Sequence, residues 1–140
     1  LDGAALLRPD GTPVIALTLR RDRVDNFWFT LLHELAHVKS HLKGGETVFL
    51  DDLEIGSSLD IELEADDMAG EALIPAKLWR DFDSGTYASS AQLFEFAERA
   101  EVHPAIVAGR WQKQNRDYRK FSKLLGHGAI GPLFAPAANR

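Results

Sequence analysis

The sequence predicts an α+β domain, and three observations carry that prediction. Two short apolar runs near the start are joined by strong turn residues. Apolar residues then recur at helical spacing in four later segments. The whole is 140 residues and 15.5 kDa, enough for one compact core, with no internal repeat or domain boundary.

The first run covers 4–7 and the second is Pro13-Val14-Ile15-Ala16-Leu17-Thr18-Leu19, with Arg8-Pro9-Asp10-Gly11-Thr12 between them. Pro, Asp and Gly in that connection favour a tight turn, so the pair reads as a β-hairpin. From Asp25 or Asn26, either of which can cap a helix, Trp28, Leu31, Leu32, Leu35, Val38 and Leu42 recur at helical spacing until Gly44-Gly45 stops the pattern. Thr47, Val48 and Phe49 favour a strand that returns to the edge of the hairpin, giving a short antiparallel or mixed sheet. Ser57 or Ser58 opens a second helix, with Ile61, Ala65, Met68, Ala69 and Ala72 as its buried stripe and Pro75 at its end.

A less regular stretch containing Asp81, Asp83 and Gly85 follows. A third helix starts near Ser89 or Ser90 and runs through Leu93, Phe94, Ala97 and Ala100. His103-Pro104 opens a fourth, because Pro suits a first helical position, and it passes Ile106, Val107 and Trp111 into a basic segment. The folded domain is expected over 1–125. Residues 126–140, rich in Gly, Ala and Pro, read as a tail that is partly disordered at its end. Leu1 stands where a starting Met is usual, which suggests a piece of a longer chain whose N-terminal domain is missing.

With 45% hydrophobic and 26% charged residues, the composition is that of a soluble globular protein. No apolar run approaches the roughly 18 residues that span a bilayer, and no export signal is visible at the start. Neither a membrane partner nor secretion is expected. The absence of cysteine excludes disulfides and thiolate metal sites and fits the cytoplasm.

Between Arg110 and Lys123 six basic residues stand against Asp117 alone, a net +5 that leaves −10 on the rest of a chain whose total is −5. A solvated helical face or a docking surface for an acidic partner would both account for it. Leu93 to Gln114 also reads, loosely, as two short helices with a tight turn ending in basic residues. Overall acidity and the lack of interleaved aromatic and basic residues argue against direct nucleic-acid binding by this domain.

The residues that carry chemistry lie on the first two helices. His33 and His37 are four apart in His33-Glu34-Leu35-Ala36-His37, so one helix face directs two imidazoles at one ion. Glu34 lies beside that ion and can accept a proton from a water. On the second helix Glu62 and Asp66 are also four apart, on a face read as opposite Ile61, Ala65 and Met68. Like charges at that spacing repel on a free helix, and a cation with a histidine between the helices would relieve the repulsion. Glu62 then serves as the third ligand, and Asp66 accepts an imidazole N–H to fix its tautomer.

These residues resemble the gluzincin pattern of HExxH followed by ExxxD. Phe29 to His37, Glu64-Ala65-Asp66 with Met68-Ala69, Leu73-Ile74-Pro75 and Pro104-Ala105-Ile106-Val107-Ala108-Gly109-Arg110 resemble the ImmA/IrrE family of metallopeptidases, over about Pro13 to Trp111. The resemblance implies a small zincin-like fold: the sheet packs on an active-site helix and a second ligand-bearing helix, followed by C-terminal helices. It implies a zinc endopeptidase of regulatory type that hydrolyses a peptide bond in a partner protein, with a helix-turn-helix repressor as expected substrate and a toxin as a possible partner.

Carried over by position, His33, His37 and Glu62 are the zinc ligands, Glu34 is general base and later proton donor, and Asp66 supports a ligand. Glu64 rivals Glu62, but Glu62 pairs with Asp66 at i+4 while Glu64 lies about 200° around the helix from Glu62. Two His and one Glu favour zinc over manganese. Candidate donors for the oxyanion are His103, Tyr87, Tyr118 and His127, with His103 preferred. His41 continues the His33, His37 stripe and reads as solvated or secondary. A non-catalytic, antitoxin-like module that keeps the metal site and only binds a repressor or toxin is the alternative. A purely structural site has no use for a carboxylate beside the ion.

Overall fold

The computed structural model describes residues 2–42, 48–50, 57–82 and 87–135. The α+β expectation holds. Strand β1 (Gly3–Leu7) pairs antiparallel with β2 (Pro13–Leu17), in the register Gly3 to Leu17 and Leu7 to Pro13. The turn between them closes through Arg8 N–H to Thr12 O at 2.9 Å and Gly11 N–H to Arg8 O at 2.8 Å, with Gly11 at φ +84°. That left-handed conformation is one glycine adopts without cost.

Helix α1 (Val24–Ser40) begins before the expected caps. Arg23 occupies the capping position, and Asp25 instead sits in the first turn, where its carboxylate accepts from the Arg23 guanidinium. Strand β3 (Val48–Leu50) pairs antiparallel with the other side of β1, Ala4 opposite Leu50, so the sheet order is β2-β1-β3 and every pairing is antiparallel. The expected strand residues before Val48 lie outside the described residues, as does Gly44-Gly45.

Helix α2 (Ser57–Leu73) follows, and then a helix the sequence reading passed over, α3 (Ala76–Phe82). Pro75 both ends the one and precedes the other. Seven residues make about two turns, too few for an apolar period to stand out. Helix α4 (Ser90–Ala100) is capped by Ser89, whose Oγ accepts from Gln92 N–H at 3.2 Å while Gln92 Oε1 accepts from Ser89 N–H at 2.9 Å. Two of the donors at the helix start are thereby satisfied. Helix α5 (Pro104–Asn115) starts with Pro as expected and ends at Arg116 in the left-handed region, φ 51°, so most of the basic segment lies past the helix.

The main core is built from α3, α4, α5 and the chain after them. Trp79, Phe82, Phe96 and Trp111 meet there, with Phe82 stacked on Phe96 at 4.7 Å and Trp79 edge-on to both. Trp79 Nε1 donates to Gln114 Oε1 at 2.7 Å, so its buried polar atom is satisfied. Helix α1 packs against α2, α5 and the sheet. Gly109 of α5 faces Asp25 so closely that a β-carbon there would clash with the carboxylate. Two expectations about buried faces are corrected: Trp28 and Leu35 of α1 and Ala72 of α2 are exposed. No described helix is long and apolar enough to cross a membrane.

Residues 126–135 fold back across the start of α1, ending in the short helix α6 (Gly131–Phe134). Val24 N–H donates to Leu125 O at 3.0 Å, and the Asp22 carboxylate accepts from Ile130 N–H at 2.8 Å and Gly131 N–H at 2.9 Å. Ile130 is buried beside Val24 and Ala105. The end of the expected tail, 136–140, lies outside the described residues. Asp22→Ala removes two charge-assisted acceptors and is expected to lower unfolding free energy in urea by about 1–3 kcal/mol. An unchanged midpoint would show that the tie carries no stability.

Candidate metal centre

Helical spacing puts His33, His37 and His41 on one stripe of α1, with ring centroids 4.7 Å and then 5.0 Å apart. Across from it, α2 presents Glu62, Asp66 and Glu64. His33 Nδ1 lies 2.8 Å from Asp66 Oδ1, while His33 Nε2 lies 2.9 Å from Glu62 Oε2. His37 Nε2 is 2.9 Å from Glu62 Oε1 and 3.1 Å from His33 Nε2. His33, His37 and Glu62 thus form a group able to hold a metal ion. The face assignment on α2 is corrected in the process. The acidic pair is not turned away from the apolar stripe, since Ser40 Oγ of α1 also donates to Met68 Sδ at 3.7 Å, and both sets meet the same helix.

The chemistry of this donor set fits a metal. Ionised Asp66 can only accept, so His33 Nδ1 carries the hydrogen and its Nε2 offers a lone pair. That lone pair points at a carboxylate oxygen that also only accepts. A cation between them converts the repulsion into ligation. Donor atoms around a tetrahedral zinc, bound at about 2.0–2.2 Å, stand about 3.3 Å apart, close to the separations found here. Nitrogen and oxygen ligands without sulfur suit a borderline divalent ion.

Glu34 is fully buried next to His33 on α1. Its carboxylate runs along the backbone of β1 at Gly3: a β-carbon on Gly3 would sit 2.9 Å from Glu34 Oε1 and Cγ and 2.8 Å from Thr30 Cγ2. The strand therefore approaches the helix this closely only because residue 3 has no side chain. A cavity of about 900 Å³ opens onto His33, Glu62 and Asp66, with Phe29 and Ile106 in its apolar wall and Tyr118 at its margin. Arg110 closes another side by donating through Nη1 to Ile74 O at 2.7 Å at the end of α2, its guanidinium over the Trp79 ring at 4.6 Å. Burial pulls the Arg110 pKa below its usual value, with Glu71 opposing that shift.

The sequence-derived site residues divide clearly. His33, His37, Glu62 and Asp66 come together at the α1–α2 contact, while the carboxylate of Glu34, the residue after His33, lies against β1 at Gly3. His103 sits elsewhere in its local structure, as the N-terminal cap of α5, its Nδ1 accepting from Ala105 N–H at 3.0 Å. The other oxyanion candidates, Tyr87, Tyr118 and His127, are all exposed, and of the three Tyr118 lines the cavity. Of the two readings of His41, solvated or secondary, the first is corrected. The His41 side chain is 7% exposed, its Nδ1 lies 2.9 Å from His37 Nδ1, and its Nε2 lies 3.1 Å from Glu64 Oε2. Its place on the stripe was visible in the sequence, but the partner was not. Gly3 gave no sequence signal at all, since its role depends on which strand crosses Glu34.

Gly3→Ala is expected to destabilise the fold by about 1–3 kcal/mol in urea unfolding, because the new methyl group overpacks the strand–helix contact. Stability equal to the parent chain would mean that the contact yields freely.

The family model of the IrrE N-terminal-like domain, Peptidase_M78, matches residues 2–112. No curated protein and no solved structure matches the chain significantly. The matched stretch contains the sheet, both metal-site helices and nearly all of α5. The chain belongs to the Peptidase_M78 family, the IrrE N-terminal-like metallopeptidase domain.

Proposed function

We propose that this domain is a cytoplasmic zinc endopeptidase that cuts a peptide bond in a regulatory partner protein, a helix-turn-helix repressor being the substrate class the family resemblance points to. The observation that carries the reading is the convergence of His33 Nε2, His37 Nε2 and the Glu62 carboxylate, with Glu34 fully buried next to His33 in the chain. A structural metal site needs the ligands but not Glu34.

His33, His37 and Glu62 would hold the ion. Zinc bound there supplies Lewis acidity, bringing a water toward neutral acidity and polarising the scissile carbonyl. Glu34 takes the proton of the attacking water on its carboxylate and later returns it to the leaving amine. Asp66 holds the His33 ring with Nε2 turned inward. The cavity beside His33 and Glu62 admits the chain to be cut. Among the described residues β3 forms one edge of the sheet, and an extended peptide pairing with that edge is oriented through its main chain, whatever its side chains. Tyr118, an oxyanion candidate, lines the same cavity as His33 and Glu62.

The purified chain is expected to carry about one zinc ion, and His33→Ala or His37→Ala to lose most of it in elemental analysis. Metal content unchanged in those variants would overturn the site. Glu34→Gln is expected to keep the zinc and to cut a cognate repressor at least ~100-fold more slowly, followed by mass spectrometry of the products. Cleavage at the parental rate would remove Glu34 from the mechanism.

A further inference from the structure

Each of the two metal-site imidazoles has an outer nitrogen as well as an inner one. For His33 the outer nitrogen reaches a carboxylate of α2 directly, at Asp66. For His37 a third imidazole stands at that position. His37 Nδ1 meets His41 Nδ1 at 2.9 Å, and His41 Nε2 meets Glu64 Oε2 at 3.1 Å. His41 lies one helical turn beyond His37, so the stripe that supplies two ligands also supplies this third ring.

The direction of the hydrogen bonds follows from the far end. Ionised Glu64 can only accept, so His41 Nε2 carries the hydrogen. In a neutral ring that leaves His41 Nδ1 as an acceptor, and His37 Nδ1 must then be the donor. With its hydrogen on Nδ1, His37 presents a bare Nε2 toward Glu62 and His33. Both ligand rings are thereby set in the same tautomer from α2, one directly and the other through an intervening imidazole.

We propose that His41, backed by Glu64, is a positioning residue that fixes the tautomer and ring orientation of His37 for metal binding. The inference rests on the metal site proposed above. It requires only that His33, His37 and Glu62 bind an ion, and not that the domain cuts a peptide. The two members differ in weight. His41 is shielded from water, whereas the Glu64 side chain is 59% exposed, so water competes for its bond and can replace it.

The test uses the full chain as wild type, His41→Ala, His41→Asn and Glu64→Gln, each checked for folding by circular dichroism. Zinc affinity is measured by competition with a chelator, and the His37 ring tautomer by nitrogen NMR of the metal-free protein. His41→Ala is expected to weaken zinc binding about 10- to 100-fold. His41→Asn is expected to restore most of it, because its Oδ1 occupies the place of Nδ1 and still accepts from His37. Glu64→Gln is expected to cost only a few-fold, on the order of an exposed charge contact. In the wild type His37 is expected to be protonated at Nδ1, and that preference is expected to fade in His41→Ala.

Zinc affinity unchanged in His41→Ala, equal losses in His41→Ala and His41→Asn, or a wild-type His37 protonated at Nε2 would each overturn the proposal. A wild type that binds no zinc overturns the metal site itself, a result seen before any variant is compared. A wild type that binds zinc but cuts nothing leaves the positioning role standing and removes only the peptidase reading.

Discussion

Packing α1 against α2 forces two imidazole nitrogens and a carboxylate to within about 3 Å of one another, and much of the remaining structure serves to hold them there. Polar groups this close and this buried destabilise a helix pair unless their electrons find a positive partner. The two helices could have met through leucines at less cost. Instead the buried positions of α1 are Val24, His33, Glu34, Ala36 and His37, with its larger apolar side chains partly or largely exposed. The contact therefore brings together groups that could hold an ion, and on the α1 side its buried residues are more polar than apolar in bulk.

The stability that this contact does not supply is found elsewhere. The aromatic cluster of α3, α4 and α5 provides a dense apolar core. Helix α5 is common to both regions. Trp111 and Val107 anchor it in the aromatic core, while Gly109 lets it come close to the first turn of α1. Arg110, from the same helix, caps the end of α2 through Gly70 and Ile74 carbonyls. One rigid element thus fixes both metal-site helices, the arrangement a site needs if its geometry is to hold within a fraction of an ångström.

The sequence made the ligands legible because their geometry is local: i, i+4 pairs on two helices can be read without knowing how the helices meet. The hairpin, its third strand and the capped starts of α4 and α5 were readable for the same reason, each resting on a few adjacent residues. What was not legible depends on contacts across the fold. Helix α3 was too short to show a period, and its Trp79 and Phe82 declare themselves only against Phe96 and Trp111. The apolar spacing of α1 pointed to Leu35 and Trp28 as buried, because hydrophobicity normally decides which face turns inward; here the metal-binding stripe decides it instead. His41 and Gly3 matter through a partner on another element, Glu64 in one case and Glu34 in the other, and neither pairing leaves a mark in the spacing. The family pattern reached Glu62 and Asp66 but had nothing to say about His103, whose cap on α5 is a purely local bond.

The segment after α5 extends this point to the limits of the domain. The family model matches the chain up to residue 112, yet Phe121 and Leu125 complete the aromatic core and Ile130 closes over Val24. Gly126, held at φ +69° with no room for a β-carbon beside Val24, lets the chain pass across the first residue of the helix that bears the histidines. The packed unit is thus longer than the stretch that the family model matches. Residues 125–130 thus form a strap seated on the start of the histidine-bearing helix, and a substitution that loosens the strap loosens a support of the candidate site.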